Sequence, residues 1–249
     1  MLRKYNNSRT AADNIKLGVL TAFTAGMVNV AAFMMLLSFS SNVTGYYAVF
    51  SAELVHGNYY QAFVVGSWIL LFFVGSFISN FLVIHLHSKN SHLAHALPLI
   101  IEIACLLFIG IYGQFFYLET LTETESLLSV MVFAMGLQNG LTASISNFTV
   151  KTTHLTGATT DLAILLSMFT KKSFRKNVEL KEKAILIFSI MISYICGGIT
   201  AGFLYSYIAF GLFYIVCALL FVVILYDFSR LGMVRFLRKT NQAKVYGRM

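Results

Sequence analysis

The sequence carries little charge. Asp, Glu, Lys and Arg make up 11% of its 249 residues, 58% of the residues are hydrophobic, and the mean hydropathy is +0.76. A soluble domain carries about 25% charged residues, so this composition excludes an ordinary water-soluble fold. The net charge of +8 would suggest nucleic-acid binding in a soluble protein. We expect no nucleic-acid partner, because the basic residues lie where membrane orientation requires them.

Cysteine is scarce as well. The chain has three cysteines, Cys105, Cys196 and Cys217, all inside apolar runs, so it has neither a disulfide framework nor a metal-ligand spacing. We interpret them as packing residues. Four histidines do have spacings that suit a transition metal, but no cysteine or carboxylate joins them. We therefore predict a titratable surface loop, no metal and no cofactor; the histidines are His85, His87, His92 and His95.

Motifs of catalysis and of nucleotide binding are missing. The chain has no Gly-x-Ser-x-Gly, no His-Glu-x-x-His and no P-loop pattern. We predict that the protein is not an enzyme and that it does not drive transport with its own nucleotide site. An intramembrane hydrolase stays the alternative, because a catalytic triad is recognised by its geometry and not by sequence position.

Long apolar runs dominate the chain. About twenty apolar residues span the hydrocarbon core of a bilayer, and four runs reach that length: Leu17–Leu37, Ala62–Ile84, Leu97–Leu118 and Leu127–Ile145. The first run is too long for the apolar part of a signal peptide. A fifth run, Ala184–Tyr226, is about twice as long and uncharged, so we predict that it turns back near Tyr205–Tyr207. The sequence thus predicts an all-α membrane protein with six transmembrane helices.

The basic residues lie in the two ends of the chain and in every second loop between these runs. All 18 Lys and Arg lie in Arg3–Lys16, at Lys89, in Lys151–Lys183 and in Arg230–Arg248. Cytoplasmic loops are enriched in Lys and Arg, so we predict that both termini are cytoplasmic and that the acidic loop Glu119–Glu125 is outside. The Lys171–Lys183 stretch either binds anionic lipid headgroups or serves orientation alone.

One order of features occurs twice along the chain. Each half has a Gly-x-x-Asn span, a Thr-Gly pair, an apolar segment too short to cross, and a later patch of small residues. The copies are Gly26–Asn29 and Gly136–Asn139, Thr44-Gly45 and Thr156-Gly157, Tyr46–His56 and Ala158–Phe169, and Gly75–Phe81 and Gly197–Phe203. Three spans per half reverse the second half in the membrane.

We therefore predict two inverted three-helix repeats, each with a short broken or re-entrant helix after its first span. The repeats cover about residues 17–118 and 127–228. Together they form a single membrane domain over residues 1–249, with cytoplasmic tails 1–16 and 229–249.

The second-half motif resembles the signature of the YoaK family. It consists of Gly136–Asn139 followed by residues 152–162, and Gly26–Asn29 with Asn42–Gly45 resemble the first-half signature. The resemblance covers about residues 15–228 and implies a multi-pass protein of the bacterial inner membrane, without supplying an activity. The family usually has an acidic residue at the position of Asn29 and an Asn at that of Tyr46, so the resemblance gives no proton-carrying role to residue 29.

The starts of the short helices are candidate binding sites. We predict Thr44 and Thr156 as their N-caps, and Gly45 and Gly157 as points where a ligand or a backbone approaches closely. If these segments are half-helices, their N-termini carry partial positive charge into the membrane and suit anionic groups. The alternative is a pair of interfacial helices with ordinary caps.

Polar side chains in apolar surroundings are the candidate ligands of a solute: Asn29, Asn42, Gln138, Asn139 and Asp161. Amides within spans also serve as hydrogen-bonding glue between helices, and an acid also suits a helix N-terminus. Glu102, about five residues into the third predicted span, is a candidate intramembrane acid. The alternative is that it reaches the cytoplasmic interface or pairs with a cation there.

We predict a transporter that moves a small solute across the cytoplasmic membrane through a site between the repeats. The alternative is a non-transporting membrane partner or regulatory protein. The expected partners are the lipid bilayer and an unidentified solute. Small-residue faces such as Gly198–Gly202 pack helices either within one chain or between chains of a homo-oligomer.

Overall fold

The computed structural model describes residues 10–87 and 90–225, apart from the side chains of residues 91 and 92. This part of the chain is helical and contains no strand. Lys89, the basic cluster Arg230–Arg248 and most of the two predicted tails lie outside the described residues.

Nine helices follow one another in the described part: α1 Ala11–Leu36, α2 Val43–Val55, α3 Tyr59–His87, α4 Ser91–Phe115, α5 Leu121–Ile145, α6 Leu155–Met168, α7 Lys172–Arg175, α8 Val178–Ile208, and α9, described over 212–225. Five apolar helical stretches are long enough to cross a membrane: Ala11–Leu36, Tyr59–His87, Leu93–Phe115, Leu121–Ile145 and Val178–Leu225. Among them the stretches in α1 and α5 are the most buried and that in α3 is the least.

The longest of these stretches is interrupted. α8 ends at Ile208, Ala209 has a φ of 41°, and Ala209–Gly211 form a 3-10 turn. The predicted turn at Tyr205–Tyr207 was placed too early, since those residues still belong to α8. The break falls where the Phe210 ring packs against Gly113 of α4, in a space that a Cβ atom at Gly113 would fill.

α9 runs antiparallel to α4. Phe213 and Tyr214 at its start lie against Gly110, and further along, the Cys217 thiol donates a hydrogen bond to the Ile103 carbonyl at 3.6 Å. Residue numbers therefore rise along α9 as they fall along α4. Phe210 and the start of α9 thus lie beside the last turns of α4.

α1 and α8 pack with their backbones in close contact. Gly26 lies against the Tyr194 carbonyl and Gly197 against the Phe23 carbonyl, and a Cβ atom at either glycine would overlap the facing oxygen. Gly198 and Gly202 face Val30 and Met34 of α1, so this small-residue face packs within one chain. Small residues let membrane helices approach closely when lipid supplies no hydrophobic driving force.

α3 and α5 form a second pair with the same construction. Gly136 lies against the Phe72 carbonyl and Gly75 against the Phe133 carbonyl, again without room for a Cβ atom. Gly136 and Phe133 of α5 correspond to Gly26 and Phe23 of α1, and Gly75 and Phe72 of α3 correspond to Gly197 and Tyr194 of α8. Within each pair of helices the sequence offset is the same for both residues. The small-residue patches of the two halves therefore make equivalent contacts.

The short helices lie beside the longer ones. Tyr46 in the first turn of α2 packs on Trp68 of α3, with 5.2 Å between ring centroids, and Phe50 packs against Gly66. α2 thus runs antiparallel to α3. Its start lies about 14 Å along the α3 axis from Tyr59, at 1.5 Å per residue. In the second half, α6 lies beside α8.

Candidate functional site

A cavity of about 580 Å³ is lined by residues from both halves of the chain. The starts of α2 and α6 border it, together with polar residues of α1, α3, α5 and α8. Five of the nine predicted substrate-binding residues line it: Asn29, Asn42, Thr44, Asn139 and Thr156. The larger cavity, as we call it, therefore brings together the two motifs that the sequence places far apart.

Asn29 holds the loop that leads into α2 by hydrogen bonds. Its side-chain oxygen accepts hydrogen bonds from the Ser40 hydroxyl at 2.9 Å and from the Ser41 backbone N–H at 3.1 Å. Its amide nitrogen donates to the hydroxyl oxygens of Ser41 and Tyr194, each at 2.5 Å. This buried amide thus connects α1 with α8 and the loop, as well as bordering the larger cavity.

Asn139 has the corresponding role in the second half. Its side-chain oxygen accepts from the hydroxyls of Thr152 and Thr153 at 3.2 and 2.9 Å, and its amide nitrogen donates to the Met135 carbonyl at 2.8 Å. The loop held in this way leads into α6. Both amides therefore act as hydrogen-bonding glue and also border the larger cavity.

The predicted N-caps, Thr44 and Thr156, were wrong. α2 is capped by Asn42 and α6 by His154, with φ and ψ of −85° and 61° for the first and −85° and 57° for the second. A cap precedes the first helical residue, whereas each threonine is the second residue of its helix. Asn42 Oδ1 accepts from the Gly45 N–H at 3.2 Å, and His154 makes no side-chain cap bond.

Gly45 and Gly157 make room for the residues at the cap positions. A Cβ atom at Gly45 would meet the Asn42 amide nitrogen at 2.5 Å, and one at Gly157 would overlap the His154 ring. In each helix the cap residue thus folds back over the third helical position. Neither glycine lines the larger cavity.

A second, smaller cavity of about 510 Å³ lies beside α6 and α8. Gly157 and Asp161 line it, and Lys151 and His154 line both cavities. Asp161 forms an ion pair with Lys183 of α8 at 3.2 Å, and both side chains are about half exposed. The structure thus places Asp161 outside the larger cavity, with its charge already paired.

Gln138 does not line the larger cavity either. It is fully buried, and its amide nitrogen donates to Thr24 Oγ1 at 2.9 Å and to Glu102 Oε1 at 3.0 Å. Glu102 is also fully buried and lies near the middle of α4, which begins at Ser91. Glu102 therefore lies away from both ends of α4.

The predicted histidine loop is only partly a loop. His85 and His87 end α3, and His95 lies in α4 with 1% of its surface exposed. The rings of His87 and His95 lie tilted against each other, with centroids 5.4 Å apart. The interpretation as a surface loop is wrong for His95, which lies in a helix and is buried; the side chain of His92 lies outside the described residues.

Residues that the sequence did not single out complete the larger cavity. Lys151 borders it, although its charge had been explained by orientation alone. Tyr194 of α8 also lines it and accepts a hydrogen bond from Asn29. No pattern in the sequence predicts that contact. His154 belongs to the second-half motif, residues 152–162. An alignment of the two halves places it opposite Asn42 and would have identified it.

Comparison with known proteins gives one match. A family described as "Protein of unknown function (DUF1275)" matches residues 17–226. No curated protein and no solved structure matched the chain. The match does not carry the YoaK name, which stays a prediction. Because it covers most of the chain, including both short helices and the larger cavity, the protein belongs to the DUF1275 family of proteins of unknown function.

Proposed function

We propose that this protein moves a small polar solute across the cytoplasmic membrane of a bacterium, with the solute bound in the larger cavity. One observation carries the proposal: the starts of two short helices, from opposite halves of the chain, border a single space of about 580 Å³. Discontinuous helices that meet between repeats form the substrate sites of many secondary transporters.

The proposal includes six membrane spans: α1, α3, α4, α5, α8 and α9. A chain that crosses six times in this order has α1 parallel to α8, α3 parallel to α5, and α4 antiparallel to α9. The contacts follow this rule. Gly18 meets Ile190 while Gly26 meets Gly198, so α1 and α8 are parallel.

α3 and α5 are also parallel, as six crossings in this order require. The Trp68 indole N–H donates to Ser129 Oγ at 3.0 Å, and the Ser144 hydroxyl donates to Asn80 Oδ1 at 2.8 Å. Residue numbers thus rise together along α3 and α5. With the antiparallel contacts of α4 and α9, these registers support six crossings.

Two inverted repeats follow from the same arrangement. α1 of the first half corresponds to α5 of the second, and α3 corresponds to α8. The corresponding helices cross in opposite directions, yet their glycines make equivalent contacts. An inverted repeat is the arrangement that satisfies both conditions. The bias of Lys and Arg then supports cytoplasmic termini.

In this arrangement α2 and α6 are broken helices rather than interfacial ones. The start of α2 lies about 14 Å along α3 from the outer end of that helix, beside Trp68. By the inversion, α6 enters from the opposite side. The two N-termini then approach each other across the larger cavity, where their partial positive charges favour polar acceptors.

The lining favours a neutral or anionic solute. Among the residues that line the larger cavity, Lys151 and His154 are basic and none is acidic. Hydroxyl and amide groups supply the remaining polar contacts, chiefly from Asn80, Ser144 and Thr153. A cation would find no carboxylate here to replace its hydration shell.

Flux measurements in proteoliposomes test the proposal. Thr156→Phe places a ring in the larger cavity, whereas Thr160→Phe places one on the same helix, one turn later and outside the cavity lining. Across a panel of small neutral and anionic solutes, we expect the native chain and Thr160→Phe to carry a solute that Thr156→Phe carries at least tenfold more slowly. Equal flux in protein-containing and empty vesicles would favour the non-transporting partner or regulatory protein.

A further inference from the structure

A buried polar cluster joins three helices outside the larger cavity. Glu102 of α4, Gln138 of α5 and Thr24 of α1 are each fully buried. The amide nitrogen of Gln138 donates to both partners, at 3.0 Å to Glu102 Oε1 and at 2.9 Å to Thr24 Oγ1. Glu102 Oε2 and Gln138 Oε1 have no hydrogen-bond partner within the described residues.

This environment does not suit a carboxylate anion. A buried charge needs a counter-ion or several hydrogen-bond donors to offset its lost hydration, and Glu102 receives one amide donor. The Thr24 hydroxyl is directed to the carbonyls of Leu20 and Thr21, so it gives Glu102 no second donor. A neutral carboxylic acid suits this environment better, because it loses far less hydration on burial than an anion does, and its Oε1 still accepts the hydrogen bond from Gln138.

The other titratable groups near Glu102 are thiols. Cys105 lies one turn along α4, and Cys217 approaches from α9, where its thiol donates to the Ile103 carbonyl. α1 and α5 contribute Thr24 and Gln138 to the cluster, and neither side chain titrates. On α3 the titratable side chains lie toward the two ends: Tyr60 bonds Glu125, and the His87 ring contacts that of His95, two turns before Glu102.

We propose that Glu102 is the proton-binding site of the transport cycle: it is neutral in the arrangement seen here and releases its proton when α4 and α5 rearrange. The proposal rests on the proposed function, since it assigns a coupling ion to that cycle. An apolar residue would fill the same space without the cost of placing an acid within the membrane.

α5 connects this cluster to the larger cavity. Gln138 bonds Glu102, and the next residue, Asn139, holds the loop into α6 through Thr152 and Thr153. An ionised Glu102 needs water or further donors, which the three helices supply only by moving apart. Proton release and movement of α5 are then linked, because each favours the other.

Infrared spectroscopy of the purified chain in lipid tests the protonation state. We expect the carbonyl band of a protonated, buried carboxylic acid at neutral pH. The band should vanish in Glu102→Gln, which replaces the neutral acid by an amide of nearly the same shape. It should persist in the control Glu125→Gln, which removes another buried acid of the described chain. A carbonyl band that is unchanged in Glu102→Gln would overturn the proposal. So would an infrared spectrum in which Glu102 is ionised and its carboxylate band changes when sodium is added.

Cysteine labelling tests the link to the larger cavity. In a background with Cys105, Cys196 and Cys217 replaced by alanine, single cysteines at Thr156 and Thr160 report on the cavity and on the exposed face of α6. Dividing their labelling rates removes the intrinsic pH dependence of thiol reactivity.

We expect this ratio to rise several-fold between about pH 5 and pH 9, well above the range in which an exposed carboxyl titrates, and to stay constant in Glu102→Gln. A ratio that ignores pH, or that changes equally in Glu102→Gln, would overturn the link. Neither measurement needs a solute, so the outcome is separate from that of the flux assay.

Discussion

The starts of α2 and α6 have almost the same backbone geometry and different chemistry. Asn42 and His154 adopt φ and ψ values within a few degrees of each other, and a glycine three residues on accommodates each side chain. Asn42, however, closes its helix with a hydrogen bond to Gly45. His154 leaves α6 without a side-chain cap and lies beside Lys151 on the larger cavity.

The same divergence appears where the long helices meet. Asn29 bonds the hydroxyl of Tyr194, whereas Phe72, the counterpart of Tyr194, has no hydroxyl for Asn139. The Asp161–Lys183 ion pair connects α6 to α8, while α2 has an apolar residue, Val49, at the corresponding place. The glycine contacts thus preserve the backbone of both halves, and the second half carries more of the charged groups around the cavities.

The glycine contacts give the largest expected effect. Gly197→Ala and its counterpart Gly75→Ala each place a Cβ atom on a facing carbonyl oxygen, so each should lower the free energy of unfolding by about 1–3 kcal/mol. Gly202→Ala is the control, since its nearest neighbour is the Met34 sulfur at 3.9 Å. Denaturant unfolding in detergent measures these differences; a Gly75→Ala that matches Gly202→Ala would break the equivalence of the halves.

Replacing Asn29 and Asn139 compares how much their hydrogen bonds stabilise each half. Asn29→Leu leaves Ser40, Ser41 and Tyr194 without their partner, and we expect a loss of about 1–3 kcal/mol. Asn139→Leu removes fewer bonds and should cost less. Tyr194→Phe, which imitates Phe72, should cost about 0.5–1.5 kcal/mol. The same unfolding assay measures all three, and an Asn139→Leu loss larger than that of Asn29→Leu would contradict the bonding described.

The caps should respond in opposite ways. Asn42→Ala removes the bond to the Gly45 N–H and should cost about 1 kcal/mol. His154→Asn should stabilise α6 by up to about 1 kcal/mol, because it supplies the missing cap to an equivalent backbone. Amide hydrogen exchange at Gly45 and Gly157 measures both effects locally. Slower exchange in the second variant is expected, and faster exchange would show that the two starts are not equivalent.

The ion pair gives the smallest effect. Asp161→Asn should change the unfolding free energy by about 0–1 kcal/mol, because both charges are about half exposed and are screened by water and salt. The difference from the native chain should disappear at high ionic strength. Full loss of flux in Asp161→Asn, with folding intact, would instead give this carboxylate a coupling role beyond the ion pair.

The sequence predicts much of the backbone. The spans follow from apolar length, and the short helices from Thr-Gly pairs, although α2 and α6 begin three residues before the predicted Tyr46 and Ala158. They begin earlier because the caps are Asn42 and His154, which lie before the threonines. The small-residue patches lie where the long helices approach each other, although the sequence left open whether such faces pack within one chain or between chains.

The side-chain environment of the site is harder to predict. Gln138 and Asn139 are adjacent in sequence, and only the packing of α5 decides that the first bonds Glu102 and the second borders the larger cavity. Tyr194 joins Asn29 across a long stretch of sequence. A hydrophobic span shows which residues lie within the bilayer, but its uniform apolar pattern does not show which helix each face meets.

Labelling the ends of the short helices shows whether the two halves are inverted relative to each other. Single cysteines at Gly57, just after α2, and at Lys172, just after α6, are introduced into the cysteine-free background and exposed to a membrane-impermeant reagent. If the halves are inverted, Gly57→Cys reacts only from outside the cell and Lys172→Cys only from the cytoplasmic side. Labelling of both positions from the same side would contradict the inversion.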